Sequence, residues 1–392
     1  MIPFNKPYLT GKELSYIQEA VEVYGHISGN GIFTKKCQSY FEERWGFKKC
    51  LLTTSCTDAL EMCALLLNIQ PGDEVIMPSY TFVSTALAFV RQGAVIRFVD
   101  SRADHPNMDE DQIEGLITSK TKAIVVVHYA GNACDMNKIM DIANKHGLFV
   151  VEDAAQAIDS YFVDSSSPQM SKLPLGKIGH LGCFSFHETK NIQCGEGGML
   201  CINDVQFIKR AEVLWEKGTN RAEFFRGEIN KYGWVDVGSS FLPSEIISSF
   251  LFAQLENLDE IQQRRLDIWE KYHHQLSPLH TKGLVKIEAK PLFATNNAHL
   301  FYLICNRLDE RTRLIAHLKQ NDIMAVFHYL SLHKSHFYEY QHDGRELPNA
   351  DFYSDCLVRL PLFYELTDEQ VELIIEKITE FFDQQPTPNE NV

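Results

Sequence analysis

The sequence predicts an α/β fold with a large, mostly parallel sheet. From about residue 48 onward, short β-rich runs alternate with amphipathic helical stretches. Polar residues, glycine or proline bound these runs. Because a strand–helix–strand unit closes with a right-handed crossover, such alternation indicates parallel pairing.

The predicted elements follow one another along the chain. We expect strands over residues 49–54, 74–78, 95–99, 123–127, 148–152, 180–186 and 198–203. Helices are predicted over 57–67, up to about Arg91, and as one long element from 244 to about 275. The last helix begins at the capping-box sequence Thr367–Gln370 and carries one apolar stripe, formed by Val371, Ile374, Ile375, Ile378 and Phe382.

The change of pattern near Pro243 predicts two domains. We expect a large α/β domain over residues 1–245 and a smaller C-terminal α/β domain over 246–383. Residues 384–392 contain two prolines and no periodicity, which predicts a disordered tail. Residues 165–175 form a polar sequence with two prolines, which predicts a loop.

Charge and cysteine content exclude several classes of protein. The 392 residues include 52 Asp and Glu against 37 Lys and Arg, a net charge of −15, which argues against a nucleic-acid binder and against an anionic membrane surface. We expect no signal peptide and no membrane span, since no apolar run approaches about 20 residues. Ten cysteines without a CxxC pair favour reduced thiols and a cytoplasmic enzyme.

A candidate anion pocket follows the first predicted strand. Ser55, Cys56 and Thr57 open a helix, where backbone N–H groups and two hydroxyls would suit a phosphate. In isolation, the simpler interpretation is that Ser55 or Thr57 only caps the helix.

Three more candidates stand after other strands. Phe82 offers an aromatic face, although core packing would also explain it. Asp153 directly follows an apolar strand, where an acid needs a partner or caps the next helix. Lys190 lies just past a strand and close to the glycine-rich turn 195–198, where a lysine can have a lowered pKa and act as a Schiff-base nucleophile.

Together these four features predict a site for pyridoxal 5′-phosphate. Its phosphate needs N–H donors, its ring a stacking partner, its pyridine nitrogen a carboxylate and its aldehyde an amine. Rival motifs are absent from the sequence: Gly176 and Lys177 lack the upstream glycine of a Walker A loop, and no glycine-rich turn fits a dinucleotide site. The histidines at 328, 333, 336 and 342 are scattered in a way more typical of solvated or substrate-facing side chains, so we expect no metal site.

These residues, in this order, resemble the DegT/DnrJ/EryC1/StrS family of sugar aminotransferases that depend on pyridoxal phosphate. The resemblance extends over nearly the whole chain and rests on motifs that include residues 3–5, 27–31, 71–76, 127–131 and 359–364. Other stretches are most similar to the dTDP-4-amino-4,6-dideoxygalactose transaminases of that family: residues 52–57, 185–191, 216–221, 238–242 and 324–329. The resemblance implies the aspartate-aminotransferase fold, called fold type I, and a homodimer with active sites at its interface.

Residue roles follow from the same resemblance. It implies that Lys190 carries the cofactor and moves the proton, and that Asp153 pairs with the pyridinium nitrogen. The implied cofactor contacts are Ser55, Cys56, Thr57 and Ser185 at the phosphate, Phe82 on the ring and Gln156 near the phenolic oxygen. Ser240 is a further implied contact and stands where many members have an asparagine that reaches across the dimer interface to the neighbour's phosphate; the serine side chain is shorter. Cys56 stands where the family usually has glycine, which is harmless if the contact is through the backbone.

The implied reaction moves an amino group from L-glutamate to C4 of a dTDP-4-keto-6-deoxyhexose, for enterobacterial common antigen, O-antigen or lipopolysaccharide synthesis. The predicted substrate contacts are Lys217, Arg221 and Arg226 in a basic stretch, with His328 and Tyr329. The alternatives are a gluco-configured 4-aminotransferase, a 3-aminotransferase, or a non-catalytic regulator. Dehydratases of the family have histidine in place of the lysine, so Lys190 argues against that chemistry.

Overall fold

A seven-stranded sheet forms the centre of the computed structural model, which describes residues 1–164, 171–288 and 291–384. The strands of the described chain are β1 (Lys49–Thr53), β2 (Glu74–Pro78), β3 (Val95–Val99), β4 (Thr121–Val127), β5 (Phe149–Asp153), β6 (Tyr161–Asp164), β7 (Ser171–Pro174), β8 (Leu181–Ser185), β9 (Gly198–Ile202), β10 (Lys286–Ile287), β11 (Phe301–Ile304), β12 (Val326–Phe327) and β13 (Leu357–Leu360). The large sheet has the order β1-β9-β8-β5-β4-β2-β3. Only β9 is antiparallel to its neighbours, so the predicted α/β fold with a mostly parallel sheet is confirmed.

Helices cover this sheet and continue into the C-terminal part. They are α1 (Glu13–Gln18, continued by a π-helical turn over Glu19–Val23), α2 (Ile32–Trp45), α3 (Cys56–Leu66), α4 (Val83–Val90), α5 (Met136–His146), α6 (Ile208–Trp215), α7 (Arg221–Phe225), α8 (Glu245–Leu255), α9 (Leu258–Thr281), α10 (Leu308–Gln320), α11 (Pro348–Cys356) and α12 (Asp368–Asp383). None of the helices in the described residues has both the length and the apolar character needed to cross a membrane.

The single long helix predicted over 244–275 is wrong, because the chain forms α8 and α9 instead. The break falls at Asn257, whose side-chain amide donates to the carbonyl oxygen of Ala253 at 2.9 Å. That carbonyl is the acceptor that the backbone N–H of Asn257 would use in a continuous helix. The backbone N–H instead donates to Gln254, and the helix axis restarts at Leu258.

A smaller antiparallel sheet, β10-β11-β13-β12, lies in the C-terminal part. Helix α12 packs beside it and begins with the predicted capping box, in which Thr367 and Gln370 exchange hydrogen bonds. Its predicted apolar stripe is buried, which confirms the pattern. The domain division near residue 245 stays a prediction, and the predicted disordered tail lies outside the described residues beyond Gln384.

The polar stretch 165–175 is only partly a loop. Residues 171–174 form β7, which pairs with β6 as a two-stranded hairpin, and residues 165–170 lie outside the described part of the chain. Phe162 is buried on one face of the hairpin, and the backbone N–H of Val163 donates to Phe293. These contacts stabilise the two paired strands, although the composition of residues 171–174 is typical of a loop.

The N-terminal region is fixed by partners that are distant in sequence. The buried carboxylate of Glu245 accepts the N–H groups of Gly31, Phe33 and Thr34 at 2.7–3.1 Å, which caps the start of α2. At the extreme N-terminus, Ile2 forms a parallel bridge with Ile323. The first residues of the chain therefore lie against the C-terminal sheet.

Candidate active site

A cavity of about 770 Å³ opens where the parallel strands end. This edge is where ligands bind in open α/β sheets. The residues that line it include most of those predicted for the site: Ser55, Cys56, Thr57, Phe82, Asp153, Gln156, Ser185, Lys190, His328 and Tyr329. We call it the lysine cavity.

Lys190 is held in a turn between β8 and β9. Its backbone N–H donates to His187 at 2.8 Å, and its neighbour Asn191 is buried and fully engaged. The Asn191 amide donates to Gln262 at 2.7 Å and its oxygen lies 2.8 Å from Nδ1 of His299. Burial lowers the pKa of Lys190, although nearby Cys56 and Asp153 act in the opposite direction. A lysine in this setting has a larger neutral fraction, which is the nucleophilic form.

Asp153 closes the inner end of the lysine cavity at the end of β5. Its carboxylate accepts a hydrogen bond from the Thr85 hydroxyl at 2.8 Å and another from the Ala155 N–H at 3.1 Å. Burial raises the pKa of Asp153, while these hydrogen bonds and the charge of Lys190 oppose the rise. A cationic ligand group placed beside Asp153 would offset the cost of burying the carboxylate.

The N-terminus of α3 forms one wall of the lysine cavity. Ser55 caps this helix, since its hydroxyl accepts the N–H of Asp58 at 3.1 Å, so the simpler interpretation of Ser55 holds for its side chain. The first N–H groups of a helix, here at Cys56 and Thr57, have no partner inside the helix and can bind an anion. Gly198 crosses directly behind this turn: a Cβ there would lie 2.4 Å from the backbone nitrogen of Cys56.

Aromatic side chains form the outer wall. Phe82 immediately precedes helix α4, and its side chain is 55% exposed. Its ring lies 6.0 Å from that of Tyr329, whose hydroxyl accepts a hydrogen bond from the Gln156 amide at 2.9 Å. Gln156 also accepts the N–H of Ala130 at 2.7 Å. His328 is buried and bonded to the Tyr129 hydroxyl at 2.7 Å, and burial keeps its pKa well below the usual value.

Thr85, His299 and Arg359 are among the cavity residues that were not predicted. Thr85 orients Asp153, His299 supports the turn at Lys190, and Arg359 adds a second cation to the wall. A signal existed for two of them. Thr85 stands three positions after Phe82, in the first turn of α4, and Arg359 is the one charged residue in the apolar run 357–363.

The remaining predicted residues lie elsewhere in the chain. Ser240, Lys217 and Arg221 line a second cavity of about 560 Å³, which we call the arginine cavity. Arg226 lines neither cavity and is ion-paired to Glu212 and Glu228 at 2.8 and 2.7 Å. The roles predicted for these four residues stay predictions. In the described residues, no group of three or more His, Cys, Asp or Glu side chains is arranged to hold a metal ion.

Comparisons with known proteins agree with this geometry. Residues 8–379 match the DegT/DnrJ/EryC1/StrS aminotransferase family. The spore coat polysaccharide biosynthesis protein SpsC of Bacillus subtilis (strain 168) is 31% identical over 389 residues, which are 96% of each chain. The aminotransferase TlmJ of Streptoalloteichus hindustanus superimposes with a TM-score of 0.87 at 28% identity, covering 98% of this chain and 99% of TlmJ.

A further solved relative has been determined with the cofactor. Spr1654 of Streptococcus pneumoniae, in its PLP-form, gives a TM-score of 0.87 at 26% identity and covers 97% of this chain and 98% of its own. The lysine cavity offers what such a cofactor needs: a helix N-terminus approached closely by Gly198, a buried carboxylate and a lysine whose pKa is lowered. The chain therefore belongs to the DegT/DnrJ/EryC1/StrS aminotransferase family, and it is a transferase that uses pyridoxal 5′-phosphate.

Proposed function

We propose that this sugar aminotransferase moves an amino group from L-glutamate to C4 of dTDP-4-keto-6-deoxyglucose. The product would be dTDP-4-amino-4,6-dideoxygalactose, a precursor of surface polysaccharide. The observation that carries the proposal is that Lys190 and Asp153 line the same cavity of about 770 Å³. The 31% identity with a polysaccharide biosynthesis protein supports a sugar substrate, and the stretches 185–191 and 324–329 support the galacto product.

The chain's own residues would hold the cofactor at its two ends. The N–H groups of Cys56 and Thr57, with the Ser185 hydroxyl, would bind the phosphate. Asp153 would bind the protonated pyridine nitrogen, and Phe82 would cover one face of the ring. When bound, pyridoxal phosphate supplies an electron sink that stabilises negative charge on the carbon that loses a proton.

Lys190 would be the acid and base of both halves of the reaction. Its Nζ takes the α-proton of the amino donor and returns a proton to the sugar carbon. The lowered pKa suits this work, because Nζ is neutral at a lower pH than that of an ordinary lysine. Asn191 and His299 would keep the turn, and with it Nζ, in one position.

The sugar nucleotide would extend beyond the lysine cavity. Lys217, Arg221 and Arg226 belong to a basic stretch that would contact the diphosphate, and His328 and Tyr329 would contact the sugar. Residues 224–237 expose several apolar side chains, with Trp234 84% and Phe225 67% exposed. A patch of this kind favours a subunit interface, which supports the proposed homodimer with Ser240 reaching the partner's site.

The experiment is identification of the product. The enzyme loaded with pyridoxal phosphate is incubated with L-glutamate and dTDP-4-keto-6-deoxyglucose, and NMR couplings at C4 assign the configuration. An axial amine identifies the galacto product. An equatorial amine at C4, or an amine at C3 from a 3-keto substrate only, would overturn the proposed product while leaving a sugar aminotransferase. Failure to transfer the amine to any keto sugar would favour a regulatory role.

A further inference from the structure

Tyr329 has a strained backbone conformation at the wall of the lysine cavity. Its φ of +54° lies in the left-handed region, where the Cβ of a bulky residue comes too close to the neighbouring backbone. Among the described residues that line this cavity, Tyr329 alone has a positive φ. Such a conformation persists only when the surrounding structure holds it, and it is concentrated at active sites. The groups that hold residues 328–332, which we call the Tyr329 turn, are therefore candidates for a role in the reaction.

Ser354, on α11, holds the Tyr329 turn through a single hydroxyl group. Its Oγ donates to the carbonyl oxygen of Tyr329 at 3.1 Å and accepts the N–H of Ser331 at 3.2 Å. These two backbone groups are two residues apart, so the hydroxyl closes the turn in place of a direct backbone hydrogen bond. Because Ser354 and Ser331 are both buried, removal of the hydroxyl would leave backbone groups without a partner and away from water.

The two ends of the Tyr329 turn are attached to the segment that follows β2. The Tyr80 hydroxyl donates to the carbonyl oxygen of His328. The N–H of Leu332 donates to the carbonyl oxygen of Ser79 at 3.0 Å. These contacts fix the start and the end of the turn, whereas Ser354 binds the strained residue itself. The strained backbone thus depends on Ser354 more directly than on the segment after β2.

The position of the Tyr329 side chain depends on the backbone of this turn. Its hydroxyl accepts the Gln156 amide at 2.9 Å, and its ring lies 6.0 Å from that of Phe82. Burial raises the pKa of Tyr329, so the hydroxyl is neutral and keeps a proton that it can donate to a ligand. A change of the backbone from the left-handed to the right-handed region turns the Cα–Cβ bond and would move the hydroxyl away from Gln156.

We propose that Ser354 is a positioning residue, which holds Tyr329 in the backbone conformation that brings its hydroxyl to Gln156 at the cavity wall. The proposal rests on the proposed function, in which Tyr329 contacts the sugar. Ser354 is described by the structure and is not part of the cavity lining, so its effect on the reaction passes through the Tyr329 turn. The hydroxyl of a residue outside the cavity thus determines where a hydroxyl inside it lies.

The test is a double-mutant cycle with Ser354→Ala and Tyr329→Phe, measured by steady-state kinetics. Ser354→Ala should lower kcat about tenfold, within the loss that a small displacement of a group at the reacting centre can cause. In the Tyr329→Phe background, the same change should lower kcat less than about twofold, because the hydroxyl that Ser354 positions is absent. Ser354→Thr keeps a hydroxyl and should recover most of the rate.

Ser335→Ala is the matched control. The Ser335 hydroxyl donates to the carbonyl oxygen of Leu332 at 2.7 Å and accepts the N–H of Tyr338 at 3.2 Å, so the control loses the same kind of bridge from the adjoining loop and should keep kcat. Thermal melting separates positioning from folding: Ser354→Ala should lower the melting temperature equally in both backgrounds, although it lowers kcat in only one. An equal loss of kcat in both backgrounds would overturn the proposal, and so would a wild-type kcat in Ser354→Ala or in Tyr329→Phe.

Failure of the proposed function has a different signature, because it changes what wild type makes and not how the variants rank. If wild type transfers the amine to another keto sugar, the cycle is measured with that sugar. If wild type transfers it to no keto sugar, the function proposed above is wrong, and the rate at which L-glutamate removes the visible absorbance of the bound cofactor replaces kcat. The results that overturn the role of Ser354 are the same in each case.

Discussion

The lysine cavity and the arginine cavity differ in whether their arginines are already ion-paired. Within the described chain, Lys190 and Arg359 form no ion pair, and polar contacts fix the residues around them. In the arginine cavity, Arg221 lies 3.5 Å from Glu216, and the adjoining Arg226 is paired twice. The arginine of the lysine cavity thus has no ion-pair partner among the described residues, whereas the two arginines at the arginine cavity are already ion-paired.

This difference indicates where ligand binding contributes most. An anion that enters the lysine cavity gains a new charged partner, whereas one that approaches Arg221 or Arg226 must compete with glutamates already in place. Substitutions in the lysine cavity should therefore have large effects and substitutions near the arginine cavity small ones. Four predictions test that order.

The largest effect is expected for Lys190→Ala. The variant should lose the visible absorbance of bound cofactor and fall in kcat by about ten-thousand-fold, the upper range for a group that is both acid and base. Absorbance after incubation with pyridoxal phosphate and steady-state kinetics measure the two losses. Lys217→Ala, the corresponding lysine of the arginine cavity, is the control and should keep the absorbance. Equal losses in both variants would contradict the comparison.

Asp153→Asn should reduce kcat/KM by about a hundred- to a thousand-fold, because the pyridine nitrogen loses its charged partner. Stability should change in the opposite direction. Burial raises the pKa of Asp153, so in the cofactor-free protein ionisation destabilises the fold as the pH rises above the ordinary carboxyl value. The melting temperature of the cofactor-free variant should therefore match or exceed that of wild type, with the difference growing from pH 4 toward neutrality. A variant that is less stable at neutral pH would show that Asp153 is a structural residue.

Thr85→Val should cost about tenfold in kcat, because Asp153 loses a donor at 2.8 Å but keeps the N–H of Ala155. Thr85→Ser restores a hydroxyl and should restore most of the rate. The pH dependence of cofactor binding supplies a second measurement. With fewer hydrogen bonds to its charged form, Asp153 should have a still higher pKa in the variant. As the pH is lowered, cofactor binding by the variant should therefore begin to weaken at a higher pH than binding by wild type. Identical pH profiles in Thr85→Val and wild type would exclude a role in orienting Asp153.

The smallest effect is expected for Arg221→Gln and Arg226→Gln. Since both arginines are exposed and ion-paired, each variant should raise the KM for the sugar nucleotide about threefold and leave kcat unchanged. Steady-state kinetics with the sugar nucleotide varied provide the measurement. If neither KM changes, the basic stretch does not bind the diphosphate; a hundredfold rise would instead reverse the order of the two cavities.

Local sequence patterns predicted the centre of the fold and the core of the site. Strands β2 and β3 have the predicted bounds, because each is a short apolar run between clear breaks. Lys190 and Asp153 were identified because charged residues directly after apolar strands are costly without a function. The described positions of Ser55, Cys56 and Phe82 in one cavity follow from the rule that parallel strands end at one edge.

Features that depend on distant partners were missed. Helix α2 has no side-chain cap of its own at Gly31, and its cap comes from Glu245. Asn257 ends α8 by a hydrogen bond that competes with the helix, which composition does not reveal. Arg359 and Thr85 acquire their positions only when the cavity walls come together, so their residue types alone gave a weak signal.

The pairing of β1 with β9 also determines when the site can form during synthesis. β1 leads into the Ser55–Thr57 turn, and β9 is its only partner in the described sheet, with Thr53 opposite Gly198. Closing that contact requires about 150 intervening residues to have left the ribosome, and at about 5–20 residues per second this takes of the order of ten seconds. A partly synthesised chain therefore contains the Ser55–Thr57 turn next to an unpaired β1, before Lys190 has been translated. Cofactor capture must then come late, after Lys190 and Gly198 have been translated together.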